Sequence, residues 1–288
     1  MNFVSFQRFY DDIAAWERQL PKFDAVCGIP RSGMIPAGYI ALRRNIRLVE
    51  LTDLLREPLD AILRAPIRDT NPIVKYNRQV GRRLLIVDDS SSDQSVTING
   101  LREKLSDQMA LDITYAAVYR ASESSKVDLY YREVPQLRMF EWNWFRHWQL
   151  KTAMLDMDGV ICENWTGPPE QNDDPAFREH LNNAKPLYVP DVPIRTIVTS
   201  RLERYRAETQ NWLERHNVHY QRLIMHPAKT PEARRQSGDH AQRKAAAYLQ
   251  NPDSSLFVES DIRQARIIHE RSSRPVLCTD TMELLSRH

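Results

Sequence analysis

The chain is poor in glycine, in cysteine and in uncompensated charge. Of 288 residues, 8 are glycine and 3 are cysteine. Cys27, Cys162 and Cys278 are odd in number and far apart, which excludes a disulfide framework and a zinc cage and suits free thiols in a reducing cytoplasm. Lys plus Arg is 40 and Asp plus Glu is 38, so there is no global basic field, and a nucleic-acid partner is not expected. No apolar run reaches the roughly 18 residues that a membrane span needs, so no membrane partner is expected. The opening Met1-Asn2-Phe3-Val4-Ser5-Phe6-Gln7-Arg8 lacks a signal-peptide pattern, and the expected location is cytoplasmic.

What is present is an alternation of short apolar runs and helical spacings, repeated over a length that suits roughly two domains. Phe6, Phe9, Ile13 and Trp16 recur at helical intervals. Strands are expected at 24–27, 47–51, 84–87 and 113–119, helices at 34–44 and 95–105, and a Pro- and Arg-rich loop at 55–79. After residue 150 the alternation resumes, with strands at 153–155, 194–198, 223–225, 256–258 and 275–277 and helices at 202–215, 241–249 and 262–271. The fold class is α/β, with two domains, 1–150 and 151–288, each a mainly parallel sheet flanked by helices. Near the end of the first, Phe140, Trp142, Trp144, Phe145 and Trp148 form an aromatic segment. It reads as a hydrophobic cover or interdomain contact, or alternatively as a hood for a planar base.

The most informative motif is Asp156-Met157-Asp158-Gly159-Val160, which follows Ala153-Met154-Leu155. Carboxylates two residues apart at a strand end point the same way, and like charges resist joint ionisation unless a cation relieves them. Asp156 then suits a nucleophile and Asp158 a general acid and base; the alternative is an acidic turn with no chemistry. Downstream come a strand-end hydroxyl at Thr199, a helix lysine at Lys244 and the acids Glu259 and Asp261. In that order these residues resemble the haloacid dehalogenase-like (HAD) phosphohydrolase superfamily over residues 151–288. The resemblance implies that Asp156 forms an aspartyl-phosphate, that Asp158 protonates the leaving oxygen and then activates water, and that Thr199 and Lys244 steady the phosphoryl group. It implies Mg²⁺ on Asp156, the Asp158 main chain, and Glu259 or Asp261. Residues 163–192 are short for a cap. Thr199-Ser200-Arg201 followed by Thr209, Trp212 and Leu213 looks closest to the nucleotidase-like branch.

In the first half, Leu84-Leu85-Ile86-Val87 runs into Asp88 and Asp89 and then Ser90-Ser91-Ser92-Asp93-Gln94-Ser95-Val96-Thr97. Adjacent acids can accept from vicinal ribose hydroxyls, and a hydroxyl-rich loop opening a helix can hold a phosphate. Upstream lies Gly28-Ile29-Pro30-Arg31-Ser32-Gly33. Together these stretches resemble the type I phosphoribosyltransferase signature over residues 20–145. The resemblance implies that Arg31, Ser32 and Gly33 line the pyrophosphate of 5-phosphoribosyl-1-pyrophosphate (PRPP), that Asp88 and Asp89 hold its ribose, and that Ser95 and Thr97 belong to the 5′-phosphate loop. Either Gln94 or Ser95 stands where that family has glycine; in the register that puts Ser95 there, Asp93 faces the base. The expected partners are PRPP, a nucleobase or base-like acceptor and a nucleoside monophosphate, with a homo-oligomer left open. The expected function is bifunctional: base phosphoribosylation, then Mg²⁺-dependent phosphomonoester hydrolysis of the nucleotide formed. The alternative is a phosphatase whose first domain is a non-catalytic nucleotide-binding or regulatory module.

Overall fold

The computed structural model describes residues 1–57, 82–106, 112–172 and 174–286. It divides into two compact units: Asn2 with 4–138, and Met1 and Phe3 with 139–288. The division falls after Arg138, so the aromatic segment, placed in the first domain by the sequence, belongs with the second unit. Within it Trp144 is fully buried beside Tyr188, ring centroids 4.9 Å apart, whereas Trp148 is exposed. The short strands β1 (Asn2–Val4) and β7 (Arg138–Phe140) pair in a two-stranded sheet.

The first unit is built on β2 (Ala25–Gly28), β3 (Arg47–Val49), β4 (Arg83–Ser91), β5 (Asp112–Arg120) and β6 (Leu129–Glu133). They lie in the order β3-β2-β4-β5-β6, all parallel. A parallel sheet is covered on both faces, so its central strands are continuous apolar runs. Leu84, Leu85, Ile86 and Val87 are each fully buried, worth about 1.5–3 kcal/mol apiece. Helix α1 (Phe6–Glu17) starts at Ser5, whose hydroxyl accepts from the Arg8 N–H. It is tied to the sheet by the Tyr119 hydroxyl, which donates to buried Asp12 at 2.8 Å, and by Arg132 at 3.0 Å. Helix α2 (Met34–Arg44) follows β2 and ends at Asn45 in the left-handed conformation. The strand expected at 47–51 stops at Val49, and Leu51–Arg56 forms a helix, α3. The expected loop at 55–79 begins inside α3, and its residues 58–79 lie outside the described residues. Helix α4 (Val96–Lys104) follows β4.

The second unit holds β8 (Met154–Leu155), β9 (Ile194–Leu202), β10 (Tyr220–His226), β11 (Phe257–Glu259), β12 (Val276–Cys278) and β13 (Glu283–Leu285). Their order is β10-β9-β8-β11-β12-β13, parallel except for antiparallel β13 at the edge. Both units are therefore α/β with parallel sheets flanked by helices. The helices are α5 (Pro175–Asn183), α6 (Arg206–Arg215), α7 (Pro231–Ser237), α8 (His240–Leu249) and α9 (Ile262–Ser272). The helix expected from residue 202 starts later, because Leu202 still pairs with His226 as the end of β9. Among the described residues no helix is long and apolar enough to cross a membrane.

Candidate functional site

In the second unit, β8 lies between β9 and β11, so the C-terminal ends of three neighbouring strands meet. Asp156 follows β8, Thr199 lies near the end of β9, and Glu259 closes β11. Lys244, one turn into α8, is 3% exposed and reaches between two of these strand ends. Its ammonium donates to Asp156 Oδ2 at 2.7 Å and to Glu259 Oε2 at 2.6 Å. Burial alone would strip the lysine's proton; the two carboxylates outweigh it and hold the ammonium above the ordinary lysine range. Burial likewise pushes the Asp156 carboxyl up, opposed by Lys244 and reinforced by Glu259.

Asp158 is held differently. Arg201 Nε lies 3.1 Å and 3.0 Å from its two oxygens, and Nη2 lies 2.6 Å from Oδ1. Burial works to raise this carboxyl, but the guanidinium prevails and holds it below the usual carboxylate range. Thr199 donates to Asp158 Oδ2 at 3.5 Å. Arg201 was not among the sequence-stated site residues. The signal was available, because Thr199 and Arg201 are two apart on one strand and so share a face. Gly159 turns the chain with φ +80°, and a Cβ there would come within 2.3 Å of Ser260 Oγ. Asp261 caps α9, accepting from the Arg263 and Gln264 backbone N–H groups at 2.8 and 3.1 Å, and pairs with the Arg263 side chain.

Among the described residues no three or more His, Cys, Asp or Glu side chains gather into a metal cage. Mg²⁺, however, is commonly held by one or two carboxylates plus waters and substrate phosphates. Asp156 and Glu259 converge on one ammonium, and the Asp158 carbonyl oxygen lies 3.3 Å from Ser260 Oγ beside them. This hard, all-oxygen donor set fits Mg²⁺.

In the first unit, β4 continues through Asp88 and Asp89 to Ser91, past the strand end expected at Val87. Each acid accepts the next backbone N–H at 2.8 Å. Burial and neighbouring Asp89 push the Asp88 carboxyl up to about 8. The Gly28–Gly33 loop lies against this strand: the Ile29 N–H donates to the Val87 carbonyl at 2.9 Å, and a Cβ on Gly33 would meet that carbonyl at 2.6 Å. The Pro30–Arg31 peptide is cis; Arg31 is exposed and Ser32 half-buried.

Ser95 is the residue of the serine loop with a left-handed backbone, φ 43°, the conformation glycine usually serves. Its hydroxyl lies 2.8 Å from Ser91 Oγ and 2.8 Å from the Ser92 carbonyl, and it accepts the Lys126 N–H at 3.1 Å. Asp93 accepts from Ser122 Oγ at 2.6 Å, and hydrogen bonds from Ser122 and Ser124 hold its carboxyl below the usual range. Thr97 is exposed in the first turn of α4. Arg138, also absent from the sequence-stated set, is buried behind the loop and donates to the Ser91 carbonyl at 2.8 Å.

No protein-family model matches the chain, and no curated protein matches it. Among solved structures, the chain is similar to a purine phosphoribosyltransferase from Pyrococcus horikoshii Ot3, at 18% identity over 49% of this chain and 92% of that one, TM-score 0.34. It is similar to the Helicobacter pylori xanthine-guanine-hypoxanthine phosphoribosyltransferase, at 15% identity over 49% of this chain and 91% of that one, TM-score 0.34. A hypothetical protein from Neisseria gonorrhoeae with bound ppGpp aligns at 15% identity over 49% of this chain and 89% of that one, TM-score 0.35.

Proposed function

We propose that the second unit is a Mg²⁺-dependent phosphomonoesterase working through an aspartyl-phosphate, and that the first transfers a phosphoribosyl group from PRPP to a nucleobase. The second would then remove the 5′-phosphate of the nucleotide made by the first, in the cytoplasm. The observation that carries the hydrolase reading is the buried Lys244 ammonium joined to Asp156 and Glu259 at adjacent strand ends. One Asp156 oxygen attacks phosphorus as the ester P–O bond breaks, and Asp158, which must first take up a proton against the Arg201 pairing that favours its ionised form, gives that proton to the leaving oxygen. Asp158 then takes a proton from water, whose oxygen attacks phosphorus, releasing inorganic phosphate and restoring the Asp156 carboxylate. Lys244 and the Thr199 hydroxyl offset charge on the phosphoryl oxygens, and Arg201 fixes the Asp158 carboxyl in place. Mg²⁺ held by Asp156, the Asp158 carbonyl and Glu259 would add Lewis-acid stabilisation; Asp261 is engaged in capping its helix. Asp156→Asn should abolish EDTA-sensitive phosphate release while leaving circular dichroism unchanged. Near-normal, EDTA-resistant release from that variant overturns the assignment.

For the first unit, the support is the Asp88–Asp89 strand end with the Gly28–Gly33 loop lying on it. Asp88 and Asp89 would accept from the ribose hydroxyls, and Arg31 would offer a planar fork to the pyrophosphate. A specific observation favours the binding-module alternative: the Ser95 hydroxyl and backbone N–H are both spent inside the loop, the latter on the Ser92 carbonyl at 3.1 Å. Calorimetry with PRPP and Mg²⁺ tests binding, and Asp88→Asn/Asp89→Asn should weaken it by about 1.5–3 kcal/mol per lost charged hydrogen bond. Binding without pyrophosphate release across a panel of bases decides for the module; no binding at millimolar PRPP removes the transferase reading.

A further inference from the structure

The second unit has an open cavity of about 370 Å³, whose lining includes Glu163, Trp165, Glu179, His180, Asn183 and Lys185. Small-molecule sites start at about 300 Å³. The cavity adjoins the chemistry through the chain itself. Glu163 follows Cys162, whose thiol lies 3.6 Å from Asp158 Oδ1, and Cys162 bridges Asp158 along the backbone. His180, on α5, interacts electrostatically with both Asp158 and Arg201.

Its aromatic wall is fixed. Trp165 donates its indole N–H to the Pro168 carbonyl at 2.7 Å, and the ring lies so close over Gly167 that a Cβ there would meet it at 2.1 Å. Behind it stand Phe177, in edge contact at 5.6 Å, and His180, with ring centroids 5.3 Å away. Yet Trp165 is only half-buried. A held indole with an accessible face is a stacking platform that needs little ordering on binding. The His180 Nε2 atom is buried with no hydrogen-bond partner among the described residues, an uncommon state. Glu179 and Asn183 are one helical turn apart at the same cavity, and Lys185 approaches Glu163 at 4.0 Å.

We propose that this cavity is the leaving-group subsite of the phosphatase, and that it takes a purine base presenting N–H donors and a carbonyl on one edge, as guanine does. The inference rests on the hydrolase reading. The phosphate meets Asp156, and the base stacks on Trp165. Glu179 accepts from the N–H donors, and Lys185 donates to the carbonyl oxygen. A base whose edge lacks that carbonyl forgoes the Lys185 hydrogen bond and binds less well.

The test compares Trp165→Ala, Trp165→Phe and Glu179→Gln in hydrolysis of guanosine 5′-monophosphate, adenosine 5′-monophosphate and ribose 5-phosphate. Trp165→Ala should raise KM for the guanine nucleotide about tenfold, leave ribose 5-phosphate unchanged, and be largely rescued in Trp165→Phe. Glu179→Gln should erode the preference for the guanine over the adenine nucleotide. Equal losses on nucleotide and ribose phosphate, or no loss on either, overturn the subsite; an unchanged guanine preference in Glu179→Gln overturns the base assignment. Separately, guanosine is titrated into the Asp156→Asn protein while tryptophan fluorescence is followed, with Trp165→Phe in that background as the control. If the wild type hydrolyses nothing but guanosine quenches the Trp165 signal, the hydrolase reading fails and the base site stands. If guanosine leaves that signal unchanged, the base site is wrong whatever the phosphatase does.

Discussion

Replacing Lys244 with methionine isolates the energetics of the buried cluster. The ammonium is 3% exposed and its side chain meets Asp156 at 2.7 Å and Glu259 at 2.6 Å, with those carboxylates 8% and 1% exposed. Methionine keeps much of the side-chain volume, so little cavity forms and the cost is mainly electrostatic. Removing one partner of a buried pair costs about 3–5 kcal/mol, because a charge is left uncompensated. Here two carboxylates lose the same cation, which places Lys244→Met at the upper end of that range. Adding Glu259→Gln removes one stranded charge and should recover about 1–3 kcal/mol, a coupling expected only for groups in contact. The assay is urea unfolding in EDTA, followed by tryptophan emission. Of the chain's 6 tryptophans only Trp16 lies in the first unit, so the signal reports mainly on the second. A Lys244→Met loss below about 1 kcal/mol, or strict additivity with Glu259→Gln, would refute the claim that these groups form one ion cluster.

Gly159→Ala should cost at least about 1–2 kcal/mol by the same assay, since its φ of +80° is disfavoured for other residues and the new methyl meets Ser260; a neutral substitution contradicts this turn. Tyr119→Phe deletes a 2.8 Å hydrogen bond to buried Asp12 and should destabilise the first unit by about 1.5–3 kcal/mol, read by amide hydrogen exchange in residues 112–120. Asp174→Ala removes acceptors for the Ala176 and Phe177 N–H groups at 3.0 and 3.2 Å and should cost about 0.5–2 kcal/mol, with faster exchange confined to α5. His226 is held below the ordinary histidine range of about 6.5, chiefly by burial, so its neutral form favours the fold; its contribution is present above that range and is lost as pH falls through and below it. The stability of the wild type relative to His226→Gln should therefore decline on acidification from pH 7.5 to about 5.5, and a rising difference reverses the sign argued here.

The sequence made the buried strands legible because parallel sheets demand unbroken apolar runs, as at Leu84–Val87. It made Asp156, Thr199, Lys244 and Glu259 legible because each sits at a strand end or helix start with its own chemical signature. Strand β6 was missed: Leu129-Tyr130-Tyr131-Arg132-Glu133 lies at a sheet edge, half-exposed, and carries no apolar run. Helix α5 was missed because its apolar content is slight, with Phe177 and Leu181 buried, and its start is set by Asp174 and Pro175. The extension of β4 through Asp88 and Asp89 was hidden because polar residues seldom continue a buried strand; there it is the pairing with β5, as far as Ser91 with Arg120, that carries it. Strand order is a long-range property, and no local pattern revealed that β8 lies between β9 and β11.

The central place of β8 has a consequence for how the protein is made. Asp156 emerges from the ribosome 88 residues before Lys244, and the Met154 N–H finds its acceptor only when Leu256 arrives. At about 5–20 residues per second, the aspartate waits roughly 4–18 s for its counter-ion. During that interval β8 can pair with β9 on one side while its other edge stays open, an unpaired apolar edge of the kind that recruits neighbouring chains. Strand β11 closes that edge, and Lys244, whose ammonium joins Asp156 to Glu259 at the end of β11, holds it there, so Lys244 variants should lose soluble yield during synthesis beyond what their equilibrium stability explains.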